Sequence, residues 1–212
     1  MTAIFLDIDG VLMGDRISWH FQELIRQKLI ELYGENDRDC REYTELQWRI
    51  AASYFLSKPA VKNFEKLIER ASEKAEVVIV LSSAWRLDGS VDEIKHQMFA
   101  MESFSKRIID KTPDDDWWRV RNREKALSPI AFEKYGFELV SRADQIDYWI
   151  RENRESWPIT NFIIIDDCDE CLSKRFPGRF VYVSSGLFSE THAEEAYQIL
   201  TQGFLPNNTG LK

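Results

Sequence analysis

The stretch Thr2-Ala3-Ile4-Phe5-Leu6-Asp7-Ile8-Asp9-Gly10-Val11-Leu12 decides the fold. Its first part, Ala3 to Leu6, is an unbroken apolar run too short for a helix, so it reads as a strand buried on both faces. The run then stops on two carboxylates, Asp7 and Asp9, with one residue between them. Alternation along an extended chain predicts that both side chains leave the strand in the same direction. Gly10 lets the backbone turn away through a conformation closed to most residues. Two carboxylates held about 4 Å apart repel by roughly 4 kcal/mol at an effective dielectric near 20, so the pair invites a cation or a shared proton. Taken alone, a D-x-D-G is more often a plain turn or cap.

The pattern of an apolar run ending in polar residues recurs. Val77 to Leu81 runs into Ser82-Ser83-Ala84-Trp85-Arg86, and Phe162 to Ile165 runs into Asp166-Asp167. Phe180 to Val183 reads as a fourth strand and Arg107 to Asp110 as a fifth. Helical patterns lie between them. Ser57 and Pro59 have the order of an N-cap and a first-turn proline, and Val61, Phe64, Leu67, Ile68 and Ala71 follow on one face. Arg142 to Glu152 and Glu190 to Leu200 show similar spacing. Strands alternating with helices predict an α/β fold with a doubly wound parallel sheet, whose ligands sit at the carboxyl ends of the strands. There, Asp7, Asp9, Asp166 and Asp167 would form an oxygen cage suited to Mg²⁺. The hydroxyls and backbone N–H groups of Ser82 and Ser83 would suit a phosphoryl oxygen.

Two stretches exceed what simple crossovers need. Residues 14–56, with an amphipathic segment at Phe21 to Tyr33 and aromatics from Trp48 to Phe55, are expected to form a small helical cap inserted into a core of 1–13 and 57–212. Asp88 to Val140 is the second excursion, with an acidic and aromatic loop at Asp114 to Trp118. Trp117 and Trp118 are read there as loop anchors in preference to a stacking site.

Composition narrows the field. With 28 basic and 36 acidic side chains the formal net charge is −8, which weighs against a polyanionic substrate unless positive charge clusters locally. No apolar run reaches the roughly 20 residues that span a bilayer, and the N-terminal sequence has no signal-peptide pattern, so a cytoplasmic setting is expected, with export as an effector left open. Cys40, Cys168 and Cys171 are too few for a disulfide framework, and the C-x-x-C lacks a second pair for zinc. A cysteine-based phosphatase would want Arg six residues after its nucleophile; the residues there are Leu46, Lys174 and Pro177. His20, His96 and His192 show no metal-binding spacing.

The D-x-D-G-V ending the first strand, the serine ending the next and the D-D after a later one resemble the haloacid dehalogenase (HAD) superfamily. The likeness runs from Asp7 to Asp167. S-S-A-W-R, the S-R-A-D-Q-I at Ser141 to Ile146 and Gly186-Leu187 look more narrowly like HAD domains related to RNA-repair phosphatases. The resemblance implies that Asp7 attacks phosphorus to form an aspartyl phosphate and that Asp9 serves as general acid and base. It further implies Mg²⁺ on Asp7, the Asp9 backbone carbonyl and Asp166 or Asp167, with Ser82 and a cation on the phosphoryl group. Arg142 is the candidate for that cation and Lys111 the reserve. Trp85 and Arg86 are candidate substrate contacts, although Trp85 also fits a core position and Arg86 a structural ion pair.

These features predict a Mg²⁺-dependent phosphomonoester phosphatase acting on a phosphorylated substrate, in the first instance a phosphoprotein, with phosphotyrosine as the candidate side chain. The alternative is a phosphatase for nucleic-acid ends or nucleotides, with Arg119, Arg121, Arg123 and Lys125 forming a basic strip. A third reading is a non-catalytic interaction module on the same fold, against which the intact Asp7 and Asp9 speak. Oligomeric state is not legible in the sequence.

Overall fold

The computed structural model describes residues 1–14, 56–87, 90–99, 102–113, 141–184 and 186–201. Within them a five-stranded sheet is formed by β1 (Thr2–Leu6), β2 (Val77–Leu81), β3 (Ile108–Lys111), β4 (Asn161–Asp166) and β5 (Phe180–Tyr182). The strand order is β3-β2-β1-β4-β5 and every pairing is parallel. The chain builds outward from β1 in one direction and then in the other, which puts the switch point of the topology at the carboxyl ends of β1 and β4.

The helices are α1 (Lys58–Ser72), α2 (Val91–Met98), α3 (Arg142–Glu152), the single turn α4 (Leu172–Arg175) and α5 (Glu190–Thr201). All five predicted strands and the three predicted helices are present, with ends within one residue of expectation. The sequence explains where two helices begin. The Ser57 hydroxyl accepts from the Ala60 amide with proline in the first turn, and Ser141 and Asp144 form a reciprocal capping box at the start of α3.

Alternation along the strands sorts the core into two layers. Ile4, Leu6, Ile79, Leu81, Ile163 and Ile165 face α1 and α5, together with Phe64, Phe104 and Phe188. Phe5, Val78, Val80 and Ile164 face α3 and α4, with Ile146 and Trp149. Because both faces are covered, β1 and β2 are buried along their whole length, which is why they read as continuous apolar runs.

The predicted cap at 14–56 lies outside the described residues apart from Gly14 and Leu56. So do the loop at Asp114 to Trp118 and the basic residues Arg119, Arg121, Arg123 and Lys125. Among the described residues, no helix is long and apolar enough to cross a membrane.

Phe64 is fully buried, with its ring edge-on to Phe104 at 5.2 Å and to Phe188 at 6.0 Å between centroids. Phe64→Ala is expected to destabilise the protein by about 3–5 kcal/mol in urea unfolding. Tyr182→Ser, at a half-exposed position on β5, should stay within about 0.5 kcal/mol.

Candidate active site

Register brings the polar residues together. Leu6 pairs with Leu81 on one side and with Ile165 on the other, so the residues that follow, Asp7, Ser82 and Asp166, stand abreast. The ladder continues through them: the Ser82 amide donates to the Leu6 carbonyl at 2.8 Å, and the Asp7 amide to the Ile165 carbonyl at 3.0 Å. The three side chains follow Phe5, Val80 and Ile164 in alternation, so they point to the α3 side of the sheet. Arg142 opens α3 at that place. Its Nη1 lies 3.1 Å from Asp7 Oδ1 and 3.1 Å from Asp166 Oδ2, and it also donates to the Ser82 carbonyl.

Burial makes this cluster electrostatically demanding. Asp7 is 4% exposed and Asp166 0%, and Asp167 stands beside them partly buried. Oxygens of Asp7, Asp166 and Asp167 all lie within 4.8 Å of one another. Burial, with the neighbouring Asp7 charge behind it, pushes the Asp166 carboxyl up to about 7 despite Arg142 and the Cys168 amide. Burial also opposes the Arg142 charge, but Asp7, Asp166 and Glu170 outweigh it and hold the guanidinium above its usual value.

One guanidinium against three carboxylates leaves negative charge that a hard cation would offset. The donors are all oxygen, and opposite ligands of an octahedral Mg²⁺ stand about 4 Å apart, so the donor set fits such an ion.

Asp9 departs from expectation. The four acids were predicted to converge, yet the Asp9 carboxylate does not join this group and is exposed. The reason is local: the chain leaves the extended form after Asp7. The Leu12 and Met13 amides both donate back to the Ile8 carbonyl at 2.9 Å, and Gly10 takes φ +69°. Alternation therefore no longer relates Asp9 to Asp7. Instead, Asp9 Oδ2 accepts from the Trp85 indole at 2.9 Å.

The two expected substrate contacts are engaged inside the protein. Trp85 reaches Asp9, and the Arg86 guanidinium is buried, donating to the Ser83 carbonyl and to Gln145 Oε1, each at 2.8 Å. Arg86 thus ties the loop after β2 to α3. Lys111, the reserve cation, donates to the Arg86 carbonyl at 2.5 Å, so Arg142 is the cation beside Asp7. Ser82 is fully buried and its hydroxyl has no hydrogen-bond partner among the described residues, as a group awaiting a ligand oxygen would be. Ser83 Oγ accepts from the Trp85 amide at 3.4 Å. Asp169 accepts from the Ser173 amide and hydroxyl, which makes it a helix-start residue. Cys168 and Cys171 are free thiols.

The family described as "HAD domain in Swiss Army Knife RNA repair proteins" matches residues 3–192. The chain belongs to this HAD family. No curated protein and no solved structure matches the chain. The matched span takes in every residue of the cluster, from the β1 terminus through Arg142 to the D-D of β4, and the parallel α/β sheet is that of a HAD domain.

Two expectations follow. A Cβ on Gly10 would fall 2.1 Å from Asp167 Oδ2 and 2.8 Å from Asp167 Cβ. Gly10→Ala should therefore displace Asp167 and weaken Mg²⁺ binding by about 10–100-fold, as seen by titration calorimetry. The second concerns pH. Between the ordinary aspartate value and about 7, Asp166 keeps its proton in the fold while the unfolded chain has lost it, so metal-free stability falls as pH rises through that window. A cation must displace the same proton. Thermal melts with and without MgCl₂ should accordingly show greater stabilisation by the ion at about pH 8 than at about pH 5.5.

Proposed function

We propose that this chain is a Mg²⁺-dependent phosphomonoesterase that works through an aspartyl phosphate on Asp7, and that its substrate is a phosphate-ended RNA or nucleotide. The observation that carries the chemistry is Arg142 held 3.1 Å from both Asp7 and Asp166, abreast of the unpartnered Ser82 hydroxyl. Support for the substrate is the RNA-repair setting named for the matching family.

Asp7, Asp166 and Asp167, with the Asp9 backbone carbonyl, would hold the metal. Bound there, the ion would offset charge on the carboxylates and on the phosphoryl group. Asp7 supplies the nucleophile: one of its oxygens bonds to phosphorus as the bond to the leaving oxygen breaks. Asp9 gives a proton to that leaving oxygen, then takes one from the water that hydrolyses the aspartyl phosphate. Arg142 and the Ser82 hydroxyl donate to phosphoryl oxygens as charge develops on them.

The phosphoprotein expectation draws less support. A pocket of 230 Å³ opens beside Asp167, lined by Gly10, Gly14, Val183, Ser184, Gly186 and Leu187. Among the described residues that line it there is no aromatic or basic side chain able to grip a phosphotyrosine ring and its flanking peptide.

The test is a turnover screen with Mg²⁺ over 3′- and 5′-phosphorylated oligoribonucleotides, nucleotides and phosphopeptides. RNA ends should rank first, with KM rising steeply with salt. Phosphopeptides as the best substrates would overturn the substrate assignment. Asp7→Asn should abolish turnover and Asp9→Asn should lower it by about 10²–10⁴. Unchanged activity in Asp7→Asn, or after exhaustive chelation, would overturn the mechanism.

A further inference from the structure

We infer that Trp85 is a positioning residue for proton transfer: its indole N–H clamps Asp9 Oδ2 and assigns the travelling proton to Oδ1. This rests on the reading of Asp9 as general acid and base.

The Asp9 carboxylate stands in an exposed turn, outside the Asp7, Asp166 and Asp167 group and beyond the reach of the strand's alternation. Proton transfer requires one rotamer of that side chain, so every contact on it bears on the chemistry. The 2.9 Å bond from Trp85 Nε1 selects that rotamer.

The indole is itself held in place. Trp85 packs against the buried cluster of the α1 face and sits in the 3₁₀ turn Ala84–Leu87. Three sets of bonds fix that turn. The Trp85 amide donates to Ser83 Oγ, the Arg86 side chain spans from the Ser83 carbonyl to Gln145 on α3, and Lys111 on β3 donates to the Arg86 carbonyl. The clamp is thus built on the sheet and on α3, and the carboxylate it holds lies on the loop.

The choice of donor matters chemically. An indole N–H can give a hydrogen bond but cannot take up a proton. With Asp9 ionised, Oδ2 accepts a charge-assisted bond. With Asp9 protonated on Oδ1, Oδ2 is a carbonyl oxygen and accepts the same bond. The clamp therefore survives both halves of the reaction, and no proton is lost to it. A histidine in that place would compete for the proton.

Trp85→Phe keeps an aromatic ring and removes the donor. Its effect should depend on the leaving group. Phosphate esters of sugar hydroxyls need a proton on the departing oxygen, so their turnover should fall about tenfold or more. The first-turnover release of p-nitrophenolate from its phosphate needs no such proton and should change by less than about twofold. Magnesium affinity by titration should not change. Equal losses on both substrates, or no loss on either, would overturn the proposal, because a role in packing alone does not sense the leaving group. Should Trp85→Phe fold poorly, the parent protein labelled with ¹⁵N at its indoles supplies the decision. One indole N–H resonance should move and exchange faster in Asp9→Ala, and the absence of any responding indole would overturn the clamp. Retained turnover in Asp7→Asn would instead sink the phosphatase reading, while the indole resonance would still report on the contact.

Discussion

Charge crowding at the ends of β1 and β4 is the constraint around which the rest is arranged. Parallel register forces Asp7 and Asp166 side by side, and burial denies them the water that would screen their repulsion. Arg142 makes the arrangement tolerable by standing between them. Its position follows from the capping box that starts α3 one residue earlier, and from Ile146 and Trp149, which seat the helix on the sheet. A helix start, a strand register and an ion pair thus fix one another.

The loop after β2 gives the second layer of support. Ser82 presents its hydroxyl inward, and the next four residues fold back so that Arg86 ties the loop to α3 while Trp85 reaches across to the β1 loop. Groups from three strand ends and one helix start are thereby locked to each other through short polar contacts. That is the condition for electrostatic stabilisation without reorganisation at the moment of reaction.

Much of this was legible in the sequence. Buried parallel strands write themselves as short apolar runs, and each run here stops at a polar residue that the register then aligns, so Asp7, Ser82 and Asp166 were identifiable. Arg142 was named because the HAD resemblance calls for a cation before the D-D strand and this residue opens the preceding helix. The placements of the Trp85, Arg86 and Asp9 side chains were not legible. They depend on the direction in which non-periodic turns carry the chain, and neither alternation nor helical spacing encodes that direction. The alternation rule failed at Asp9 because the Ile8 carbonyl collects the turn's amides and ends the extended conformation early. Arg86 read as a substrate contact or a structural ion pair, since nothing local in S-S-A-W-R reveals that Gln145 lies opposite it.

The order of the strands carries a consequence for biogenesis. β1 precedes β2, and its other neighbour is β4, which is synthesised long after both. Until β4 docks, Asp7 lacks its acidic neighbour Asp166, so a half-assembled molecule holds the β1 carboxylate without the rest of its electrostatic setting. Such long-range strand pairing is also the slow kind, so the cluster at the strand ends is complete only after the chain through β4 has been made.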